Sequence, residues 1–154
     1  MQVIILSGGA GSRLWPVSSQ TKPKPFIKMQ DGQTLMYKAL MRACGVGSVD
    51  GIISVTNYNF VDLLKEEFKN IEPLNKRHIE AHFILEPFAK NTAAAIASAA
   101  LYVRGIFGPD EIMLILPADH LISNEAAFQD AVSRAEIIAA KGKIVTFGIK
   151  PTYP

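Results

Sequence analysis

The chain has 154 residues, 49% of them apolar and 19% charged, with a net charge of +2. That length suits one domain with a core of ordinary size, and the apolar excess favours a sheet buried on both faces. The small charge, with no basic run interleaved with aromatics, argues against a nucleic-acid groove, and the longest small-apolar stretch, Ala93–Val103, is too short to span a bilayer. No basic segment precedes Val3, so no signal peptide is expected. The lone Cys44 cannot close an internal disulfide, and with Leu40 and Met41 nearby it reads as a helix-core residue in a reducing, cytoplasmic setting.

Val3-Ile4-Ile5-Leu6 opens as an apolar strand and runs directly into Ser7-Gly8-Gly9-Ala10-Gly11-Ser12-Arg13-Leu14-Trp15-Pro16. A helix is expected over Thr34–Ala43 with Gly45 after it, then a second strand over Gly51–Thr56. Asn57 is placed to cap a helix over Asn59–Lys69, where Phe60, Leu63, Leu64 and Phe68 recur at helical spacing. Ile79–Leu85 alternates as a third strand, and Asn91 or Thr92 starts an alanine-rich helix to about Gly105. Ile112–Leu116 is the most apolar strand and ends at Pro117-Ala118-Asp119-His120. A helix over Glu125–Ala140 and a fifth strand over Ile144–Ile149 complete the series, without repeats or linkers.

Five strands alternating with helices predict an α/β fold with a doubly wound, mostly parallel sheet in α/β/α layers. Ligands in such sheets sit beyond the carboxyl ends of the strands, where the winding reverses. With the order 3-2-1-4-5, strands one and four are neighbours. The Ser7–Arg13 turn and Asp119 then face one crevice.

A strand entering a glycine-rich turn with an arginine is a way to build a phosphate cradle. Glycines let the backbone approach the anion, successive N–H groups point inward, and a guanidinium adds a fork of donors. Taken alone, such a turn is as much a structural feature as a functional one. Arg13 and Lys24, the latter held in Lys22-Pro23-Lys24-Pro25-Phe26, favour phosphate. No Gly-Lys-Ser/Thr follows, so this is not a Walker A loop. Gly9-Ala10-Gly11 lacks the third glycine of a dinucleotide loop, and Asp31 lies in a Gln30-Asp31-Gly32 turn rather than after a second strand. Both points weaken a nicotinamide-dependent oxidoreductase. Asp119 reads either as a turn or helix cap or, facing the glycine turn, as the carboxylate for Mg²⁺ beside phosphates.

The combination Gly8-Gly9-Ala10-Gly11-Ser12-Arg13-Leu14-Trp15-Pro16 with Pro23-Lys24-Pro25-Phe26 resembles the signature of the sugar-1-phosphate nucleotidylyltransferases. Within that family it is most similar to the mannose-1-phosphate guanylyltransferase branch. Glu86-Pro87-Phe88-Ala89-Lys90-Asn91-Thr92-Ala93, Leu116-Pro117-Ala118-Asp119-His120 and Gly148-Ile149-Lys150-Pro151-Thr152 agree with it. The resemblance implies a Rossmann-like nucleotidyltransferase fold and a Mg²⁺-dependent reaction of GTP with mannose 1-phosphate, giving GDP-mannose and pyrophosphate. Ser7, Gly8, Gly9, Ala10, Gly11, Ser12, Arg13, Glu86, Lys90, Asn91 and Thr92 are the implied nucleotide contacts. Arg13 and Lys24 are the implied catalytic cations, and Asp119 is the implied metal ligand. Ser7 stands where relatives that use other bases often carry alanine.

Some assignments stay open on the residues alone. Glu86 suits guanine, whose N1–H and N2–H₂ groups are donors, and equally suits a cap of the Asn91 helix. Asn91 and Thr92 bind ribose or phosphate, or serve as N-caps. His120 fits support of the Asp119 turn better than a metal ligand, because imidazole suits zinc more than magnesium. Trp15 reads as a packing residue. Family members continue beyond Pro154 with sugar-binding strands and a second metal-binding aspartate. Residues 1–154 are therefore expected to be the nucleotide-binding N-terminal part, without turnover alone and with an open sheet edge prone to self-association. The rival readings are a transferase for another nucleoside triphosphate and a non-catalytic regulatory subunit. Retention of Lys24 and Asp119 speaks against the second.

Overall fold

A computed structural model describes residues 1–9, 23–88 and 91–148. Four parallel strands, β1 (Gln2–Leu6), β2 (Gly51–Asn57), β3 (Glu80–Glu86) and β4 (Met113–Pro117), form one sheet in the order β3-β2-β1-β4. The expected 3-2-1-4 portion is therefore present, with β1 and β4 adjacent. Val3 pairs with Ile52 on one side and with Leu114 on the other.

The side-chain alternation of the strands sorts two cores. Val3, Ile5, Ile52, Leu114 and Leu116 pack on one face under α1 (Leu35–Gly45), α2 (Val61–Lys69), α3 (Glu72–Arg77) and α5 (Glu125–Ala139), with Phe83 of β3 against Phe68 at 5.1 Å. Ile4, Ile53 and Val55 face the other way, where Ala95, Ala99 and Val103 of α4 (Asn91–Ile106) cover them. Small residues at spacings of four let that helix lie close to the sheet. The inner strand β1 is thus apolar from Val3 to Leu6 because both of its faces are inside.

Caps set several boundaries. The Thr34 hydroxyl accepts from Tyr37 N–H at 2.9 Å and opens α1, while Asn124 does the same for α5 through Ala127 N–H at 3.0 Å. Asn57 caps a short 3-10 turn, Tyr58–Phe60, rather than the α-helix itself, which begins at Val61. The Cys44 thiol is buried in the main core, and burial pushes its pKa up to about 11, so it stays an uncharged packing group.

Two expectations need correction. The six-residue α3 is not foreseen from periodicity, being too short and carrying Pro73 in its first turn. The fifth strand is not formed in the described part of its range: residues 144–148 pair with no strand, and Ile144 is 98% exposed. A β-type pattern becomes a strand only when a neighbouring edge takes its backbone hydrogen bonds.

Leu64 is fully buried where α2 meets the main core. Leu64→Ala is expected to lower unfolding stability by about 2–5 kcal/mol in denaturant titration. A loss under about 1 kcal/mol would show that α2 does not seal that face.

Candidate active site

At the carboxyl end of the sheet, β1 hands over to the glycine turn between β2 and β4. Ser7 N–H donates to Val55 O at 2.9 Å and Ser7 Oγ to the same carbonyl at 3.1 Å, while Ala118 N–H donates to Leu6 O at 3.1 Å. These bonds extend the ladder beyond the strands, so Gly8, Gly9 and Asp119 leave the sheet from fixed points. Both Ser7 donors are thus spent on anchoring the turn.

Gly8 faces Glu86. A Cβ at Gly8 would collide with a carboxylate oxygen of Glu86, so a side chain there would push the Glu86 carboxylate out of its present place. Among the described residues nothing lies within 4 Å of where a Cβ at Gly9 would stand. Burial raises the Glu86 pKa above the ordinary glutamate value. Among the described residues no hydrogen bond joins Glu86 to the start of α4. Asn91 is the first residue of α4 and sits at a φ of 65°, a left-handed conformation that asparagine tolerates better than most residues. Asn91 and Thr92 are both exposed.

Lys24 arrives from a different direction. Pro23 starts a 3-10 turn over Lys24–Phe26, in which Pro25 and Phe26 are buried. The buried neighbours anchor the segment and leave the lysine stem to reach outward. Lys24 Nζ lies 2.9 Å from Asp119 Oδ2, with both side chains roughly a third exposed. Burial alone would raise the Asp119 pKa. The Lys24 hydrogen bond and charge, joined by the charge of His120, outweigh it and hold the carboxyl below the ordinary aspartate value.

The structure therefore brings Gly8, Gly9, Glu86, Lys24 and Asp119 to one end of the sheet. Ala10, Gly11, Ser12, Arg13, Trp15 and Lys90 lie outside the described residues. An open hollow of about 490 Å³, lined by Asn57, Tyr58, Asn59, Leu85 and Pro87, flanks Glu86. Another of about 480 Å³ opens at the opposite end of the strands beside Gln2, Asp50 and Glu80. Parallel sheets place ligands at carboxyl ends, which favours the first.

One residue of this region is not apparent from the motifs. Arg42 of α1 is 2% exposed, and its Nη2 donates to His120 O at 3.0 Å, behind the Asp119 turn. The available signal was an arginine inside the apolar run Leu40-Met41-Arg42-Ala43-Cys44.

Residues 2–154 match the family model described as nucleotidyl transferase, and the chain belongs to that family. More particularly, it is 39% identical over 150 residues to a mannose-1-phosphate guanylyltransferase of Sinorhizobium fredii, covering 97% of this chain and 28% of the relative. It is 41% identical over 152 residues to the xanthan biosynthesis protein XanB of Xanthomonas campestris, covering 98% of this chain and 31% of that one. The chain thus spans less than a third of the length of these curated relatives. Among solved structures it superposes on one named a mannose-6-phosphate isomerase from Helicobacter pylori with a TM-score of 0.77 and 32% identity, covering 99% of this chain and 51% of that one. A Thermus thermophilus structure named a mannose-1-phosphate geranyltransferase gives a TM-score of 0.70 at 25% identity, covering 92% and 38%. No described helix is long and apolar enough to cross a membrane.

Proposed function

We propose that residues 1–154 are the nucleotide-binding part of an enzyme that transfers GMP from GTP to α-D-mannose 1-phosphate. A phosphate oxygen of the sugar phosphate attacks the α-phosphorus of GTP, the bond from Pα to the bridging oxygen breaks, and pyrophosphate leaves. The nucleophile is already anionic, so no general base is required. The barrier lies in repulsion between anions and in charge on the transferring group, which makes positioning and electrostatics the main tools. The observation that carries the reading is the Lys24–Asp119 pair at the junction of β1 and β4, beside the glycine turn.

In this reading the backbone donors of Gly9–Ser12 and the Arg13 guanidinium hold the β- and γ-phosphates, and Lys24 neutralises charge at the α-phosphate. Glu86 accepts from guanine, and Asn91 and Thr92 face ribose or phosphate. Asp119 is the Mg²⁺ ligand. Among the described residues no three of His, Cys, Asp and Glu gather into a metal cage. One hard carboxylate completed by nucleotide phosphates is a set that Mg²⁺ accepts, so Asp119 fits the ion. When bound, the ion supplies neutralisation of the phosphate oxygens and orientation of the leaving pyrophosphate. Lys24 must then exchange Asp119 for phosphate as its counterion.

Pyrophosphate release by the full-length protein with mannose 1-phosphate, compared across GTP, ATP, UTP, CTP and dTTP, tests the proposal. Release with GTP supports it. Release with another triphosphate alone replaces guanylyl transfer, and no release with any leaves a binding or regulatory subunit.

Base choice gives a sharper expectation. Glu86→Gln sets an amide NH₂ against a guanine donor, a mismatch of ~1–3 kcal/mol, so preference for GTP over ATP should shrink about tenfold or more. The pH dependence has a definite sign. Burial raises the Glu86 pKa, so the carboxylate takes up its proton before an ordinary glutamate would as pH falls. The protonated form loses acceptor strength, and GTP affinity drops through that raised pKa. Calorimetric titration of GTP against pH should show this acid limb in the native protein and a flat profile in Glu86→Gln. Identical profiles would assign base reading to backbone carbonyls instead.

A further inference from the structure

Arg42 is placed where an apolar residue would cost less. It lies in the main core region between α1, the Pro117–His120 turn and α5, almost wholly buried, and its Nε has no partner among the described residues. Burying a guanidinium with part of its donor fork unpaired is unfavourable. Burial lowers the pKa of Arg42, opposed by the charge of Glu125 at the start of α5. Three groups engage it. The His120 carbonyl accepts from Nη2 at 3.0 Å, the Phe128 ring centroid of α5 lies 5.9 Å from Cζ, and Glu125 favours its charge. A methionine of similar length would fill the volume without the desolvation. What methionine cannot do is hold the peptide carbonyl that follows Asp119.

We propose that Arg42 is a positioning residue for phosphoryl chemistry, clamping the Pro117–His120 turn so that the Asp119 carboxylate is presented to the crevice. This rests on the reading of Asp119 as the metal ligand. Arg42 touches neither nucleotide nor metal. It acts through the backbone of His120, which Ala118 also ties to β1 through its N–H bond to Leu6 O at 3.1 Å. The turn is thereby fixed from both sides of Asp119, by the sheet before it and by the guanidinium after it.

The test uses the full-length protein with Arg42→Met, which keeps the bulk and removes the donors, and Arg42→Lys, which keeps a charged donor. Mn²⁺ binding in the presence of GTP, without sugar phosphate, is read by electron paramagnetic resonance, alongside kcat and the KM for GTP. Loss of support for a metal-binding carboxylate typically costs about 10–100-fold in metal affinity or activity. Arg42→Met should therefore weaken Mn²⁺ binding and lower kcat by about tenfold or more, with the KM for GTP within about twofold. Arg42→Lys should recover most of both losses. A folded Arg42→Met protein with native Mn²⁺ affinity and kcat overturns the proposal. If that variant does not fold, Arg42→Leu, a shorter apolar side chain that also lacks the donor to the His120 carbonyl, takes its place; it should weaken Mn²⁺ binding about tenfold at unchanged KM, and native Mn²⁺ affinity there overturns the proposal too. Asp119→Asn in the same assay separates the two levels. Native Mn²⁺ affinity in Asp119→Asn removes the metal reading and the clamp with it, whereas loss in Asp119→Asn without loss in Arg42→Met removes the clamp alone.

Discussion

Lys24→Ala in the full-length enzyme is expected to lower kcat by roughly 100-fold or more, the scale of losing one preorganised donor to a developing charge. Lys24 is delivered by a turn whose Pro25 and Phe26 are buried, so its position is set before substrate arrives. Its ammonium already sits 2.9 Å from a carboxylate, which shows that the stem reaches the end of β4. In the proposed role the interaction with the α-phosphate grows as charge builds there, so the loss belongs in kcat far more than in nucleotide affinity. Steady-state kinetics with nucleotide binding measured separately make the distinction. Turnover near the native rate would take Lys24 out of the chemistry and leave it a surface ion-pair partner.

Asp119→Ala should abolish metal-dependent turnover, with excess Mg²⁺ restoring only part of the rate. The substitution should leave the fold nearly unchanged, because the ion pair it breaks is partly solvent-exposed and such pairs contribute about 0–1 kcal/mol. Thermal unfolding and activity on the same sample decide the matter. A protein that has lost its cooperative transition returns Asp119 to a structural role, whereas a folded and inactive one supports metal ligation.

The strands were legible because their physics is local. Val3–Leu6 and Ile112–Leu116 are continuous apolar runs, as strands covered on both faces must be, and β1 and β4 form within a residue of those ranges. That the stretch starting at Ser7 and the Asp119 turn share one crevice was legible only through topology, by placing strands one and four side by side. The ion pair of Lys24 with Asp119 was not legible that way, because Lys24 lies on neither strand but in the 3-10 turn Lys24–Phe26. Arg42 was not legible in that way, because its partner is a backbone carbonyl 78 residues away and carbonyls leave no mark on a sequence. The commitment of both Ser7 donors to Val55 was hidden for the same reason. Residues 144–148 differ in the opposite sense: their side chains suit a strand, but a strand is a pair, and the second member is set by the fold.

The place of β1 in the sheet also governs how the chain must assemble. β1 is an inner strand, and Val3 finds one of its two partners in Leu114, about 110 residues further along. Closing so long a loop delays native pairing, and parallel sheets built this way fold slowly for their size. At synthesis rates of about 5–20 residues per second, β1 waits on the order of ten seconds for β4 to emerge. Through that interval the backbone edge of β1 that β4 will pair stays open to any other extended chain, while Ile4 and Ile5, both fully buried in the finished fold, lack their full cover. The nascent chain is thus open to aggregation before the crevice exists.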